Sequence, residues 1–149
     1  MPDNPRVFLD TSALFAGIWS ASGGARMLLK LGEASAIQLL ISSHVLCEVE
    51  GALRRKAPQL LDLLSLLLNR SHVQTVSAPT DDDIHKSQEL THHLGDAQVL
   101  AAAWQAGIDY LVTLDGAHFL NNTLLKEAVP FHVGTPGDFL AWYRERLRA

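Results

Sequence analysis

Four carboxylates, Asp10, Glu48, Asp96 and Asp115, are the side chains of this sequence best suited to chemistry. Taken singly, each has an ordinary explanation. Asp10 ahead of Thr11-Ser12 and Asp96 after Gly95 suit helix N-caps. Glu48 suits an exposed helix face, and Asp115-Gly116 is a common turn pair. Gathered in one place, the four mean something else. Two carboxylates about 4 Å apart repel by roughly 4 kcal/mol at an effective dielectric near 20, so several cannot stay ionised together without a cation. No Lys or Arg adjoins any of them closely in sequence. A hard divalent ion, Mg²⁺ or Mn²⁺, is the natural partner for such an oxygen-rich set. Its chemistry would be to bridge phosphate oxygens and lower the pKa of a bound water.

Such a gathering needs elements that aim all four at one place. The sequence alternates short apolar runs with longer helical stretches. Strands are expected at 6–10, 37–41, 73–76, 110–113 and 131–133. Helices are expected at 13–19, 22–33, 43–56, 59–69, 81–93 and 96–106, with a last one from Pro136. Pro58 stops the 43–56 helix. Strands that alternate with helices imply a parallel sheet covered on both faces. Right-handed crossovers put every strand's carboxyl end on the same edge, where such sheets form their ligand crevice. Asp10 and Asp115 follow the first and fourth strands directly. Glu48 sits one to two turns into the helix after the second strand. Asp96 opens the helix leading into the fourth strand, at the end where a carboxylate is favoured.

The chain's 149 residues suit one domain over 1–149, large enough to bury a core without disulfides. Cys47 is alone, which rules out an internal disulfide and fits a reducing, cytoplasmic setting. The opening residues carry no signal-peptide pattern, and the greasiest run, 60–68, contains Asp62 and is too short to span a bilayer. A net charge of −4 argues against nucleic-acid binding by bulk charge. The basic runs Arg54-Arg55-Lys56 and Arg144, Arg146, Arg148 read as solvated helix faces.

The acids sit within four motifs. Val7-Phe-Leu-Asp-Thr-Ser-Ala-Leu14 resembles the opening of PIN domains. Ile41-Ser-Ser-His-Val-Leu-Cys-Glu48 and Gly95-Asp-Ala-Gln-Val-Leu-Ala-Ala-Ala103 are similar to their second and third acidic motifs. Tyr110-Leu-Val-Thr-Leu-Asp115 is similar to the fourth, and Val133-Gly-Thr-Pro-Gly-Asp-Phe-Leu140 to the closing strand and helix. The resemblance implies an α/β/α sandwich around a five-stranded parallel sheet. It also implies metal-dependent RNA hydrolysis that leaves 5′-phosphate and 3′-hydroxyl ends, with Asp10, Glu48, Asp96 and Asp115 holding one or two Mg²⁺ or Mn²⁺ ions. Thr11 and Ser12 match the small hydroxyl residues after the first aspartate, which orient it or hold a metal-bound water, and Thr113 matches the threonine before the last and supports the site from behind. Small members of the family are often toxins of VapBC-type pairs, homodimeric and silenced by a small antitoxin. The 60–68 helix offers either a surface for such a partner or plain core.

Further residues invite a role. Arg55 lies two turns from Glu48 on a similar face and is the leading candidate for a phosphate contact, ahead of Arg26 and Lys30. His118 is near enough to Asp115 to touch substrate. His92 and His93 read as an exposed pair, since no Cys/His spacing supports zinc. Asp81-Asp82-Asp83 behind Thr80 and Asp138 behind Thr135 read as helix starts. Glu50 faces away from Glu48, and Asp109 precedes its strand and belongs at the other end of the sheet. A phosphoacceptor receiver domain would need an aspartate after the third strand, where Ser77-Ala78 stands. A haloacid-dehalogenase-type phosphatase would need a second aspartate at Ser12. A non-catalytic PIN-like module would lack one or more of the acids. A PIN-like RNA-processing nuclease outside any toxin pair would keep them all. Single-stranded or loop RNA is the expected substrate.

Overall fold

A computed structural model describes residues 4–149. The apolar run of Arg6–Leu9 forms β1, whose Val7, Phe8 and Leu9 are all buried. β2 (Gln38–Ser42), β3 (Gln74–Val76), β4 (Tyr110–Val112) and β5 (His132–Gly134) complete a parallel sheet in the order β3-β2-β1-β4-β5. Val7 pairs with Leu39 on one side and Tyr110 on the other. The central strands are therefore continuous runs of buried apolar residues, as expected of a sheet covered on both faces.

Helices supply the two covering layers. α1 (Thr11–Trp19) packs on α2 (Gly24–Glu33) and α3 (Ser43–Lys56), and α2 packs on α8 (Pro136–Arg148). α5 (Asp81–Thr91) pairs with α6 (Leu94–Gln105), which lies on β2. α2 approaches the sheet very closely at Gly32, where an added Cβ would stand 2.6 Å from Leu39 Cδ1 and 2.7 Å from the Ser71 carbonyl. A side chain there would force the layers apart.

Several elements differ from the sequence expectation. α1 starts at Thr11, because Asp10 itself caps it. The stretch after Pro58 is a short turn of helix, Pro58–Leu60, followed by α4 (Leu61–Arg70). α4 is not buried all round. Leu64 and Leu67 are in the core, whereas Leu66 is exposed. α5 ends at Thr91, with His92 in the left-handed conformation at φ 60°. A wide turn at Gly116–Leu120 and α7 (Thr123–Ala128) fill a stretch with no expected element. Thr80 caps α5 by accepting from the Asp83 N–H, and Thr135 and Asp138 form a reciprocal cap on α8. The Asp109 carboxylate accepts from the Arg6 N–H at the start of β1, on the edge opposite Asp10.

In this strand order the chain runs outward one way through β1, β2 and β3 and the other way through β4 and β5. The reversal lies between β1 and β4, and such reversals open a crevice at the carboxyl edge. Asp10 and Asp115 follow those two strands.

Candidate active site

The Asp10 N–H continues the sheet by bonding to the Val112 carbonyl at 3.1 Å. Its carboxylate does three things at once. Oδ1 accepts from the Ala13 N–H (2.9 Å), which caps α1, and from the Ser12 hydroxyl (2.7 Å). Oδ2 accepts from the Thr113 hydroxyl. The capping role of Asp10 is therefore compatible with a carboxylate that also faces the strand ends. The Thr113 oxygen in turn accepts from the Asp115 N–H at 2.9 Å, and the Ser12 oxygen from the Leu114 N–H at 3.0 Å. Two short hydroxyl side chains thus tie the end of β1 to the end of β4, orient the Asp10 carboxylate and fix the backbone at Asp115.

Glu48 comes from the second turn of α3, a helix that Ser42 caps through the Val45 N–H. Thr11 donates its hydroxyl to Glu48 Oε1 at 2.9 Å. His44, one turn earlier, places Nε2 2.9 Å from the same oxygen but without hydrogen-bonding geometry. Asp96 lies in the first turn of α6, three residues after the cap residue His93. Its Oδ2 is 3.2 Å from His93 Nδ1 and 3.3 Å from His118 Nδ1. Asp115 caps the Gly116–Leu120 turn: Oδ1 accepts from the His118 N–H at 3.0 Å, and Oδ2 lies 2.9 Å from His118 Nδ1.

All four acids line one cleft of about 540 Å³, together with Thr11, Ser12, Phe15, Trp19 and Lys56. Among the described residues, no Lys or Arg pairs with any of them; their basic neighbours are histidines. The electrostatics follow from that. Burial pushes the Asp10 carboxyl above its usual range, against the pull of its hydrogen bonds from Thr113, Ala13 and Ser12. Burial also raises Asp96; the charges of Asp115 and Glu48 add to this, while His118 and His93 oppose it. For Asp115 burial again acts upward, but the hydrogen bonds and charge of His118 outweigh it and hold the carboxyl low. His118 is raised in return, first by its hydrogen bond to Asp115 and then by the charge of Asp96.

A divalent ion fits this donor set. Asp96, Asp115 and His118 each present a ligand atom, all within 4.8 Å of one another. Two raised carboxylates facing a common space are in the state that a small dication relieves, and carboxylate oxygens are the donors that Mg²⁺ and Mn²⁺ prefer.

The basic residues are placed differently from the sequence expectation. Arg26 does not face the cleft. Its guanidinium donates to the Gly17 and Ile18 carbonyls at 2.6 and 3.1 Å and closes the C-terminal end of α1. Arg55 is exposed, and the cleft takes Lys56 instead. The cleft-facing row of α3 is Glu48, Ala52, Lys56, at steps of four residues, which aim along one face of a helix. Lys30 is exposed on α2, away from the cleft lining. His118 stands against the acids as a partner of Asp115 and Asp96. His92 and His93 are both exposed, and His93 also reaches Asp96. His44 is a neighbour of the acids that the sequence reading missed, although its four-residue step to Glu48 is a usable signal, as is the three-residue step from His93 to Asp96.

A sequence profile of the PIN domain matches residues 6–117, which hold all four acids. The chain belongs to the PIN-domain family. Among solved structures, this PIN domain is similar to a chain of the Rickettsia felis VapBC2 complex bound to a fragment of its promoter DNA. The likeness has 19% identity and a TM-score of 0.64, over 87% of this chain and 98% of that one. It is also similar to VapC20 of Mycobacterium tuberculosis, a toxin that cleaves the sarcin-ricin loop, with 22% identity and a TM-score of 0.54, over 74% of this chain and 90% of that one. At these identities the likeness is one of fold. No curated protein matches the chain in sequence at a significant level.

Proposed function

We propose that this PIN domain is a Mg²⁺- or Mn²⁺-dependent endoribonuclease, the toxin half of a VapBC-type pair. The observation that carries the reading is the meeting of Asp10, Glu48, Asp96 and Asp115, from four separate elements, in one cleft without a Lys or Arg partner. The fold shared with an RNA-cleaving toxin and with a VapBC chain supports RNA as substrate and a small antitoxin as partner. Homodimerisation belongs to the same reading, and the exposed Leu66 on α4 offers apolar surface for it.

The four acids are the groups that would hold the ion, with His118 as a further donor within reach. Bound there, the ion would neutralise phosphate charge and lower the pKa of an attacking water. The chain's own residues do the positioning. Ser12 and Thr113 lock the Asp10 carboxylate in one orientation. Thr11 does the same for Glu48, and His118 for Asp115. Preset groups need little rearrangement when charge develops on the phosphate. Lys56, at the far end of the cleft, supplies a cation to a neighbouring phosphate of the strand.

The test is cleavage of total cellular and single-stranded RNA with added Mg²⁺ or Mn²⁺, with excess chelator, and by Asp10→Asn. Expected are metal-dependent cuts leaving 5′-phosphates, and a loss of at least about a hundredfold in Asp10→Asn, the scale of removing a preset electrostatic group. Equal cleavage in chelator would refute the metal reading. No cleavage under any divalent ion would leave a binding module. The toxin assignment predicts growth arrest on expression, relieved by the product of an adjacent antitoxin gene. Activity without arrest would place the protein among nucleases outside toxin pairs.

A further inference from the structure

Two helices run away from the acids along the cleft, and each lines it with side chains at four-residue steps. On α1 the row is Thr11, Phe15, Trp19, and on α3 it is Glu48, Ala52, Lys56. The first member of each row belongs to the acid site, since Thr11 bonds Glu48. The last members are an indole and an ammonium about 12 Å of helix further on, at 1.5 Å per residue. Between them Ala16 and Ala52 leave the floor open.

The aromatic row is unusual in its exposure. Phe15 and Trp19 stack with ring centroids 5.5 Å apart and planes within 17°. Trp19 is nevertheless 54% exposed, whereas the other aromatic residues of this fold mostly close the core around Tyr110 and Phe139. Phe15 already carries the Lys56 ammonium 5.5 Å from its ring centroid. A flat, prestacked, half-open π surface with a cation beside it, continuous with a site for phosphodiester chemistry, matches the repeating unit of a single nucleic-acid strand: a planar base and a phosphate.

We propose that Trp19, backed by Phe15, is a stacking platform for an unpaired base of the RNA substrate near the scissile phosphate, and that Lys56 pairs with the adjoining phosphate. The assignment rests on the ribonuclease reading of the acid site. Every base has a π face, so the platform adds affinity with little regard to sequence. Bases held in a duplex are not free to lie on it, so it favours single strands and loops.

The test uses a short random-sequence single-stranded RNA, a backbone-matched abasic strand and an RNA duplex. Binding to wild type, Trp19→Phe, Trp19→Ala and Lys56→Met is followed by fluorescence anisotropy with Ca²⁺ in place of Mg²⁺, so that the strand stays intact, and KM and kcat are measured on the single strand with Mg²⁺. Thermal melting checks that each variant folds, and the surface position of Trp19 makes folding the expected outcome. Trp19→Ala should weaken binding of the single strand by roughly 5- to 150-fold, the range seen for base–aromatic stacking. It should raise KM rather than lower kcat, and it should leave the abasic strand's affinity unchanged. Trp19→Phe should lose much less, and Lys56→Met should weaken both strands alike.

Equal affinity of Trp19→Ala and wild type for the single strand, with cleavage intact, would overturn the platform and leave the ribonuclease reading standing. Wild type that neither cuts nor binds RNA would overturn both. A Trp19→Ala variant that keeps its RNA affinity but no longer binds a copurifying antitoxin would reassign the surface to a protein and also overturn the proposal.

Discussion

Thr113 is the residue whose loss should be felt furthest for the smallest change in shape. It is fully buried; its hydroxyl donates to Asp10 and accepts from the Asp115 N–H. Thr113→Val keeps the volume and the branched shape that a strand end favours, so no cavity complicates the result. It removes one hydrogen bond to a carboxylate, worth about 1.5–3 kcal/mol, and one ordinary bond, worth about 0.5–1.5 kcal/mol. The loss should be about 2–4 kcal/mol, a large share of the 5–15 kcal/mol typical of a domain. Thr113→Ser keeps the hydroxyl and gives up one methyl group, for a cost of roughly 1 kcal/mol. Urea unfolding of both variants and wild type at neutral pH, in chelator, measures this directly. Because Thr113 orients the Asp10 carboxylate and holds the backbone at Asp115, the valine variant should also bind Mn²⁺ roughly 10- to 100-fold more weakly, the usual effect of removing a group that positions a ligand. A valine cost below about 0.5 kcal/mol, or a serine cost as large as the valine cost, would refute the claim that the hydroxyl joins the two strand ends.

The Asp10 carboxyl is raised in the folded protein, so its protonated form stabilises the metal-free state at low pH and that stability is lost as pH rises through the folded value. Metal-free Asp10→Asn should therefore lose less stability than wild type between acid and neutral pH, and it should lose the upward shift in melting temperature that Mg²⁺ gives wild type. The His118–Asp115 pair works between two limits. Its contribution falls away below the lowered pKa of Asp115 and again above the raised pKa of His118. In chelator, His118→Ala should lower the melting temperature most at mildly acidic pH and least at pH extremes. Of the basic residues, Arg26→Ala should destabilise the fold by about 1–2 kcal/mol through the freed α1 carbonyls, whereas Arg55→Ala should change neither stability nor RNA affinity in unfolding and binding assays.

The sheet was readable because its central strands are short, apolar runs, so β1 and β4 lay within a residue or so of the expected positions. The shared cleft of the four acids was legible because Asp10 and Asp115 follow strands, Asp96 stands in the first turn of a helix and Glu48 in the second turn of another, all at one edge of the sheet. What escaped were contacts between segments distant in sequence. His118 meets Asp96 only because α6 starts beside the turn after β4, whereas His93 reaches it from three residues away. The same turn and α7 were hidden by their brevity, although Asn122 caps α7 with a residue typical of that position. Arg55 and Lys56 differ by one residue, or about 100° of helical phase, and that difference decided which of them lines the cleft. Arg26 serves carbonyls of a neighbouring helix, a use that leaves no mark on the local sequence.

The most direct measurement is anomalous scattering from crystals grown with Mn²⁺. A peak among Asp10, Glu48, Asp96 and Asp115, at about 2.0–2.3 Å from carboxylate oxygens, and its loss in Asp10→Asn, is the expected result. A cleft that stays without a peak at saturating Mn²⁺, or an ion held equally well once Asp10 is an amide, would contradict the account.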